Sequence, residues 1–361
     1  MTKPPAFVGP APMEGHGFYN RSSRVQAAGL SPAVTLFERA ARTVALPASP
    51  LPIIIADYGS SEGRNSLEPM TVAIGALRER VGPERAISVV HTDVAENDFT
   101  ALFRTLAADP HSYLRGDLAV FCSAIGRSFY EQILPANSVT LAWSSWAVQW
   151  LSRVPAPIPD QVQVSYSQDP AARAAYAEQA AEDWRTFLSH RERELCPGGR
   201  LVVMTMALDE AGDFGYRPSL EAMYAALLEM VEEGFVRAEE ANRMAIPTVG
   251  RSRADLLAPF IRDGHCADLS IEQIEVFLGE DKIWGQFEVD GDAQAFGARW
   301  AAFSRASVFP TLASGLKGGR DDPRAASFVE RLESGMTARL AAAPERMVIP
   351  LVKLLLVKDG G

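Results

Sequence analysis

The stretch Ile53-Ile54-Ile55-Ala56-Asp57-Tyr58-Gly59-Ser60-Ser61-Glu62-Gly63-Arg64-Asn65-Ser66 constrains the fold more than any other. A run of β-branched residues ends in a carboxylate and two glycines, and a helical pattern follows, as when a buried parallel strand opens onto a ligand at its carboxyl end. Gly59 and Gly63 permit positive φ and let a ligand approach the backbone. The spacing is not the dinucleotide pattern, because G-x-x-x-G replaces G-x-G-x-x-G and an acid precedes the first glycine. An acid at that place suits a ligand that carries a cation or amine and no pyrophosphate; S-adenosylmethionine is the commonest such ligand. Taken alone, the stretch fits any strand–turn–helix unit equally well.

The flanking pattern extends this unit into an α/β domain. Residues 1–14 are rich in Pro and Ala and read as an arm, followed by a polar segment over 15–26. Apolar spacing at Val34, Leu36, Phe37, Ala40 and Val44 predicts a helix over 31–45, and a second helix over 66–80 stops at Val81-Gly82-Pro83. Strands are expected over 86–93, 116–124, 138–143 and 201–206, with helices over 99–106 and 171–195 and a tight turn at Cys196-Pro197-Gly198-Gly199-Arg200. Beyond residue 206, helices at 219–236 and 252–263 follow one another without a strand and are placed as a cap over the sheet's carboxyl edge. Strand-like runs at 267–277 and 347–357 flank further helices at 292–306 and 323–343. The expected architecture is a Rossmann-like, mixed, seven-stranded sheet whose last strands pair antiparallel at one edge. Its parts are an N-terminal arm (1–30), a core (31–206), a helical cap (207–265 and 290–345) and C-terminal strands (266–289 and 346–361).

Charge and cysteine content narrow the partners. A net charge of −10 disfavours nucleic acid and anionic membranes, which need clustered Lys and Arg. Three cysteines, Cys122, Cys196 and Cys266, lie far apart with no C-x-x-C spacing, so neither a disulfide framework nor a zinc site is indicated. No apolar run has signal-peptide or membrane-spanning length, and a cytoplasmic protein with a small-molecule partner is expected.

Two strands ending in acids, Asp57 and Asp93, carry more weight than one, since a carboxylate after the second strand can accept both hydroxyl protons of a ribose. Around them the chain resembles, over nearly its whole length, the SABATH family of S-adenosylmethionine-dependent methyltransferases. The motifs are Phe18-Tyr19-Asn20-Arg21-Ser22-Ser23-Arg24-Val25-Gln26, then Ile55 to Asn65, then Thr92-Asp93-Val94-Ala95-Glu96-Asn97-Asp98-Phe99. Arg127-Ser128-Phe129-Tyr130, the segment Trp143 to Ser152 and Pro197-Gly198-Gly199-Arg200 complete the set in the same order. The resemblance implies a class I methyltransferase sheet with a helical cap, methylation of a carboxyl oxygen, and a homodimer. By position it implies that Tyr19, Ser23, Asp57, Gly59, Asn65, Asp93, Val94, Ser128 and Phe129 bind the methyl donor. It also implies that Gln26 and Trp150 hold the acceptor's carboxylate, with Trp146, Gln149 and Leu220 lining the acceptor pocket. Departures from the motifs are Ser22 for Asn, Ser60 for Cys, Arg127 for Gly and Trp146 for Tyr, while Leu220 stands nearest to a usual aromatic of the cap. The Ala- and Arg-rich composition points to a bacterial member.

The chemistry follows from the acceptor. A carboxylic acid, with a pKa of about 4 to 5, is already ionised at neutral pH, so methyl transfer by in-line displacement needs no general base. The histidines are scattered and none is read as catalytic. Gln26 offers an amide N–H and Trp150 an indole N–H, both donors without full charge, which orient a nucleophile without quenching it. The same residues have plainer readings. Trp146 and Trp150, four apart, could be core aromatics on one helix face, Asp93 could cap the next helix, and Asp57 could bind backbone N–H groups of its turn. No metal ligand cluster is carried over. The expected acceptor is a small hydrophobic acid, aromatic or a medium-chain fatty acid; the rival readings are a purine-type N-methyltransferase and a non-catalytic binding protein of the same fold.

Overall fold

The computed structural model describes residues 31–261 and 266–360. The arm and its three site residues, Tyr19, Ser23 and Gln26, lie outside the described residues. Helix α1 (Ser31–Thr43) presents Ala33, Val34, Leu36, Phe37 and Ala40 inward, and the Phe37 ring meets Trp143 of the sheet at 4.9 Å between centroids. Strand β1 (Ile53–Tyr58) is buried along almost its whole length, as its continuous apolar run requires of a central parallel strand. It leads through a short turn into α2 (Leu67–Val81). Strand β2 (Ile87–Asp93), helix α3 (Phe99–Ala108), and strands β3 (Val120–Gly126) and β4 (Val139–Ser145) follow. The long helix α4 (Pro170–Glu194) then feeds directly into β5 (Leu195–Met206).

The sheet has seven strands in the order β3-β2-β1-β4-β5-β7-β6, where β6 is Leu269–Leu278 and β7 is Pro350–Lys358. The first five are parallel to their neighbours, and β7 runs antiparallel between β5 and β6. Alternation along β1 divides the core. Ile53 and Ile55 join the cluster under α1 and α2, whereas Ala56 and Tyr58 join Trp184, Phe187 and Leu188 of α4 on the other face.

The cap is built from α5 (Arg217–Glu232), α6 (Ala238–Ala241), α7 (Arg253–Ile261), α8 (Lys282–Asp290), α9 (Ala293–Ser307), α10 (Phe309–Ala313) and α11 (Ala325–Ala342). Helices α9 and α11 cross so closely at Gly297 that an added Cβ would lie 2.4 Å from the Thr337 carbonyl oxygen. A charged clasp ties the cap together: Arg324 donates to Glu240 at 2.6 Å and to Asp322 at 3.0 Å, and Glu240 also accepts the Lys317 N–H at 2.9 Å. Hydrogen bonds from Arg324 hold the Glu240 carboxyl down to about 2. The clasp therefore stabilises the fold above the ordinary carboxylate range and loses its effect as pH falls toward that value.

Three local expectations are corrected. Residues 282–289, placed in the sheet-completing segment, belong instead to helix α8, which Asp281 caps by accepting the Trp284 N–H at 2.9 Å. The turn at 196–200 is a bulge inside β5: Val139 pairs with Leu195 and Leu141 with Arg200, so the intervening residues loop out, with Gly198 at φ 75°. Trp146 and Trp150 do not share a helix face, since Trp146 has φ 54° and the chain after β4 turns sharply.

Candidate active site

The turn after β1 is shaped by its glycine. Gly59 has φ 89°, and a Cβ there would lie 2.5 Å from Cβ of Ala147, so the segments leaving β1 and β4 touch at this point. Asp57, 2% exposed, does not bind the backbone of its own turn. Its Oδ2 accepts from the Ser66 hydroxyl at 2.6 Å and faces His91 Nδ1 at 2.8 Å. Asn65 sits half-buried in the short turn between Gly63 and α2.

Asp93 ends β2 and crosslinks the two loops: it accepts the Ser61 and Val94 N–H groups, each at 2.8 Å. It does not cap α3; Asp98 does, accepting the Ala101 N–H at 2.8 Å. Although Asp93 is only half-buried by area, the crowding of protein atoms around it pushes its carboxyl up to about 6. Val94 follows on the same loop.

Ser128 and Phe129 lie on the loop after β3. Ser128 Oγ accepts the Tyr130 N–H at 3.2 Å, and the Phe129 ring packs edge-on against Tyr130 and Phe187. A fully buried pair on α4 fixes this loop from behind. Arg191 donates to the carbonyls of Phe129 at 2.8 Å and Glu131 at 2.9 Å, while Glu194 accepts the Leu134 N–H at 3.0 Å and pairs with Arg191 at 2.9 Å. Burial pushes the Tyr58 phenol, which also donates to Glu194, well above its ordinary range.

Trp146, Gln149, Trp150 and Leu220 line one cavity between the end of β4 and the cap. No residue lining it carries a formal charge. The Trp150 indole N–H has no acceptor among the described residues, whereas both ends of the Gln149 amide are engaged. Its Nε2 donates to the Trp146 carbonyl at 2.6 Å, and its Oε1 accepts from Thr205 at 3.0 Å. Gln149 thus shapes the wall and has little left to offer a ligand.

Sequence reasoning missed the rest of the lining. Met206, Phe214, Tyr216, Met223, Ile246 and Phe303 come from four separated segments. Tyr216 has a left-handed backbone at φ 60° just before α5, and its buried hydroxyl has no partner among the described residues. The signal that could have found it is Gly212-Asp213-Phe214-Gly215-Tyr216-Arg217-Pro218, a glycine-punctuated turn running into a helix-starting proline. Among the described residues, no group of three or more His, Cys, Asp or Glu side chains is placed to hold a metal, and no helix is long and apolar enough to cross a membrane.

Comparison with known proteins accounts for this arrangement. The profile of a family described as SAM dependent carboxyl methyltransferase matches residues 12–353. Methyltransferase FUS9 of Gibberella fujikuroi is 32% identical over 251 residues, covering 69% of this chain and 67% of that protein. Salicylate carboxymethyltransferase of Clarkia breweri is 29% identical over 250 residues, covering 66% of this chain and 67% of that protein. A solved loganic acid methyltransferase with SAH covers 97% of this chain and 99% of its own, with a TM-score of 0.79 at 22% identity, and shows the same fold. These named relatives from fungus and plant lend no support to the bacterial membership expected from composition. The chain belongs to the SABATH-type family of S-adenosylmethionine-dependent carboxyl methyltransferases, and it is an O-methyltransferase that uses S-adenosylmethionine.

Proposed function

We propose that the cavity takes a small hydrophobic carboxylic acid, aromatic or a medium-chain fatty acid, and that the product is its methyl ester. The observation that carries this reading is a cavity with an uncharged, largely apolar lining into which Trp150 brings an indole N–H with no acceptor among the described residues. Two relatives are named for acids, salicylate and loganic acid, which supports a carboxylate nucleophile.

The polar edge at the ends of β1 and β2 fits S-adenosylmethionine, which when bound supplies a methyl group on a sulfonium. Asp57 keeps Oδ1 without a partner among the described residues, suited to an amine. Asp93 offers a carboxylate suited to ribose hydroxyls, and Gly59, Asn65, Val94, Ser128 and Phe129 supply the backbone and ring surfaces around them. On the other side, Trp150 orients one carboxylate oxygen by its N–H, joined by Gln26 from the arm, while Trp146 and Leu220 bound the apolar part. A carboxylate ionised at neutral pH attacks without a base, so the chain's work is alignment and exclusion of water.

The test is transfer from labelled S-adenosylmethionine across a panel of carboxylic acids and xanthines, with Gln26→Ala and Trp150→Phe run alongside. Extractable methyl esters are expected, with acceptor KM raised about tenfold or more in each variant for the lost hydrogen bond to a charged group. Turnover confined to xanthines, or unaltered acceptor KM in both variants, would sink the reading.

A further inference from the structure

We infer that His91 and Tyr113 form a buried hydrogen-bond relay that positions the Asp57 carboxylate for the methyl donor's amine. The inference rests on the methyl-donor site proposed above and concerns two residues that no motif drew attention to. Asp57 and His91 lie directly opposite each other on the paired strands β1 and β2. Asp57 is 2% exposed, His91 0% and Tyr113 4%.

A carboxylate this deeply buried is costly unless charge or hydrogen bonds compensate it. No Lys or Arg pairs with Asp57 among the described residues. Its two partners are the Ser66 hydroxyl at 2.6 Å and His91 Nδ1 at 2.8 Å, and both converge on Oδ2. Oδ1 is left open. The carboxylate is therefore clamped by one oxygen and presents the other.

The far side of the imidazole sets its tautomer. His91 Nε2 lies 2.7 Å from the Tyr113 hydroxyl, which has no other acceptor among the described residues. The phenol donates to Nε2, which leaves the imidazole proton on Nδ1, donated to Asp57. Burial pushes the Tyr113 phenol well above its ordinary range, so it stays protonated and keeps donating. The relay is neutral throughout. That neutrality matters, because an Arg or Lys in place of His91 would cancel the charge that a cationic amine is to meet.

The surroundings sharpen the point. Ile87 and Val89, on the same face of β2, are buried aliphatics in the core under α1 and α2. A leucine in place of His91 would suit that face with no polar group to desolvate. The polar pair is explained by the carboxylate it holds, not by packing.

The experiment measures binding of S-adenosylhomocysteine and steady-state kinetics in Tyr113→Phe, His91→Leu and His91→Gln, with Asp57→Asn beside them. Loosening one charge-assisted hydrogen bond is expected to weaken binding about tenfold in Tyr113→Phe and His91→Leu, with the effect on methyl-donor KM rather than kcat and with partial recovery in His91→Gln. The nitrogen resonances of His91 should report a neutral ring protonated on Nδ1, and Tyr113→Phe should shift them. If His91→Leu does not fold, Tyr113→Phe carries the test alone, since it removes a single oxygen. Unchanged binding in Tyr113→Phe, or an imidazolium signature, with binding lost in Asp57→Asn, overturns the relay and leaves the methyl-donor site standing. Unchanged binding in Asp57→Asn overturns the methyl-donor assignment itself.

Discussion

The loop edge at the ends of β1 and β2 and the cavity beneath the cap are neighbours built on opposite principles. The loop edge is defined by hydrogen bonds: Asp57 is clamped by Ser66 and His91, Asp93 ties two loops together, and Arg191 and Glu194 brace the Ser128 loop. The cavity is defined by shape, with no charged side chain in its lining and polar groups that are mostly spent on one another, as in Gln149. The contrast suits group transfer. A site that must recognise one fixed, charged molecule gains from preset dipoles, whereas a site for an apolar acid gains from volume and dryness. The two meet where Gly59 touches Ala147.

That meeting point is where the division breaks most easily. Gly59→Ala places a Cβ 2.5 Å from Ala147 at a backbone φ of 89°, which an L side chain adopts only with strain. The variant is expected to lose about 1–3 kcal/mol of stability and, by displacing both loops, about 100-fold in kcat/KM. Both the methyl-donor and acceptor KM should rise. A variant that changed only one of them would show that the two sites do not share this contact functionally. Leu220→Trp probes the cavity alone, by putting an aromatic where Leu220 is 7% exposed. It should raise KM for the bulkier acids about tenfold and spare the smallest, while S-adenosylhomocysteine affinity stays unchanged. A loss of that affinity would break the separation of the two sites.

The same contrast explains what could be read from sequence. Much of the loop edge is written in contiguous stretches, 55–65 and 92–99, because a strand end and the turn after it carry Asp57, Asn65 and Asp93. The strands themselves were equally accessible, since β-branched runs mark them up to β5. The cavity is different: Phe214, Ile246 and Phe303 are apolar residues in segments that only the folded cap brings together, and nothing in their local pattern distinguishes them from core. Helix α8 was missed for a related reason, because its first residues, Lys282-Ile283-Trp284, are aliphatic and aromatic enough to pass for strand. His91 reads as one more residue of a buried strand, and its partner Tyr113 lies beyond a helix. Residues 1–30 carry the expected closing arm, whose role is left to the Gln26→Ala measurement.

The smallest predicted effect separates the two regions by pH. Crowding raises the Asp93 carboxyl to about 6, so the ionised form that can accept two ribose hydroxyls is lost as pH falls through that value. Between pH 7 and 5.5 the ionised fraction falls about fourfold, and S-adenosylhomocysteine affinity should weaken by up to that factor. The acceptor, with a pKa of about 4 to 5, stays mostly ionised over the same interval, so acceptor KM should hardly move. Stability responds in the opposite sense. A carboxyl whose folded pKa lies above its unfolded value binds protons preferentially in the folded state, so this group's contribution to ligand-free stability rises as pH falls from 7 toward the ordinary carboxylate range. Asp93→Asn removes both dependences and should leave affinity low and flat across the interval. Acidification that weakened acceptor binding instead, with S-adenosylhomocysteine affinity unchanged, would mean that the raised carboxyl does not face the methyl donor. The polar edge would then have to be assigned without Asp93.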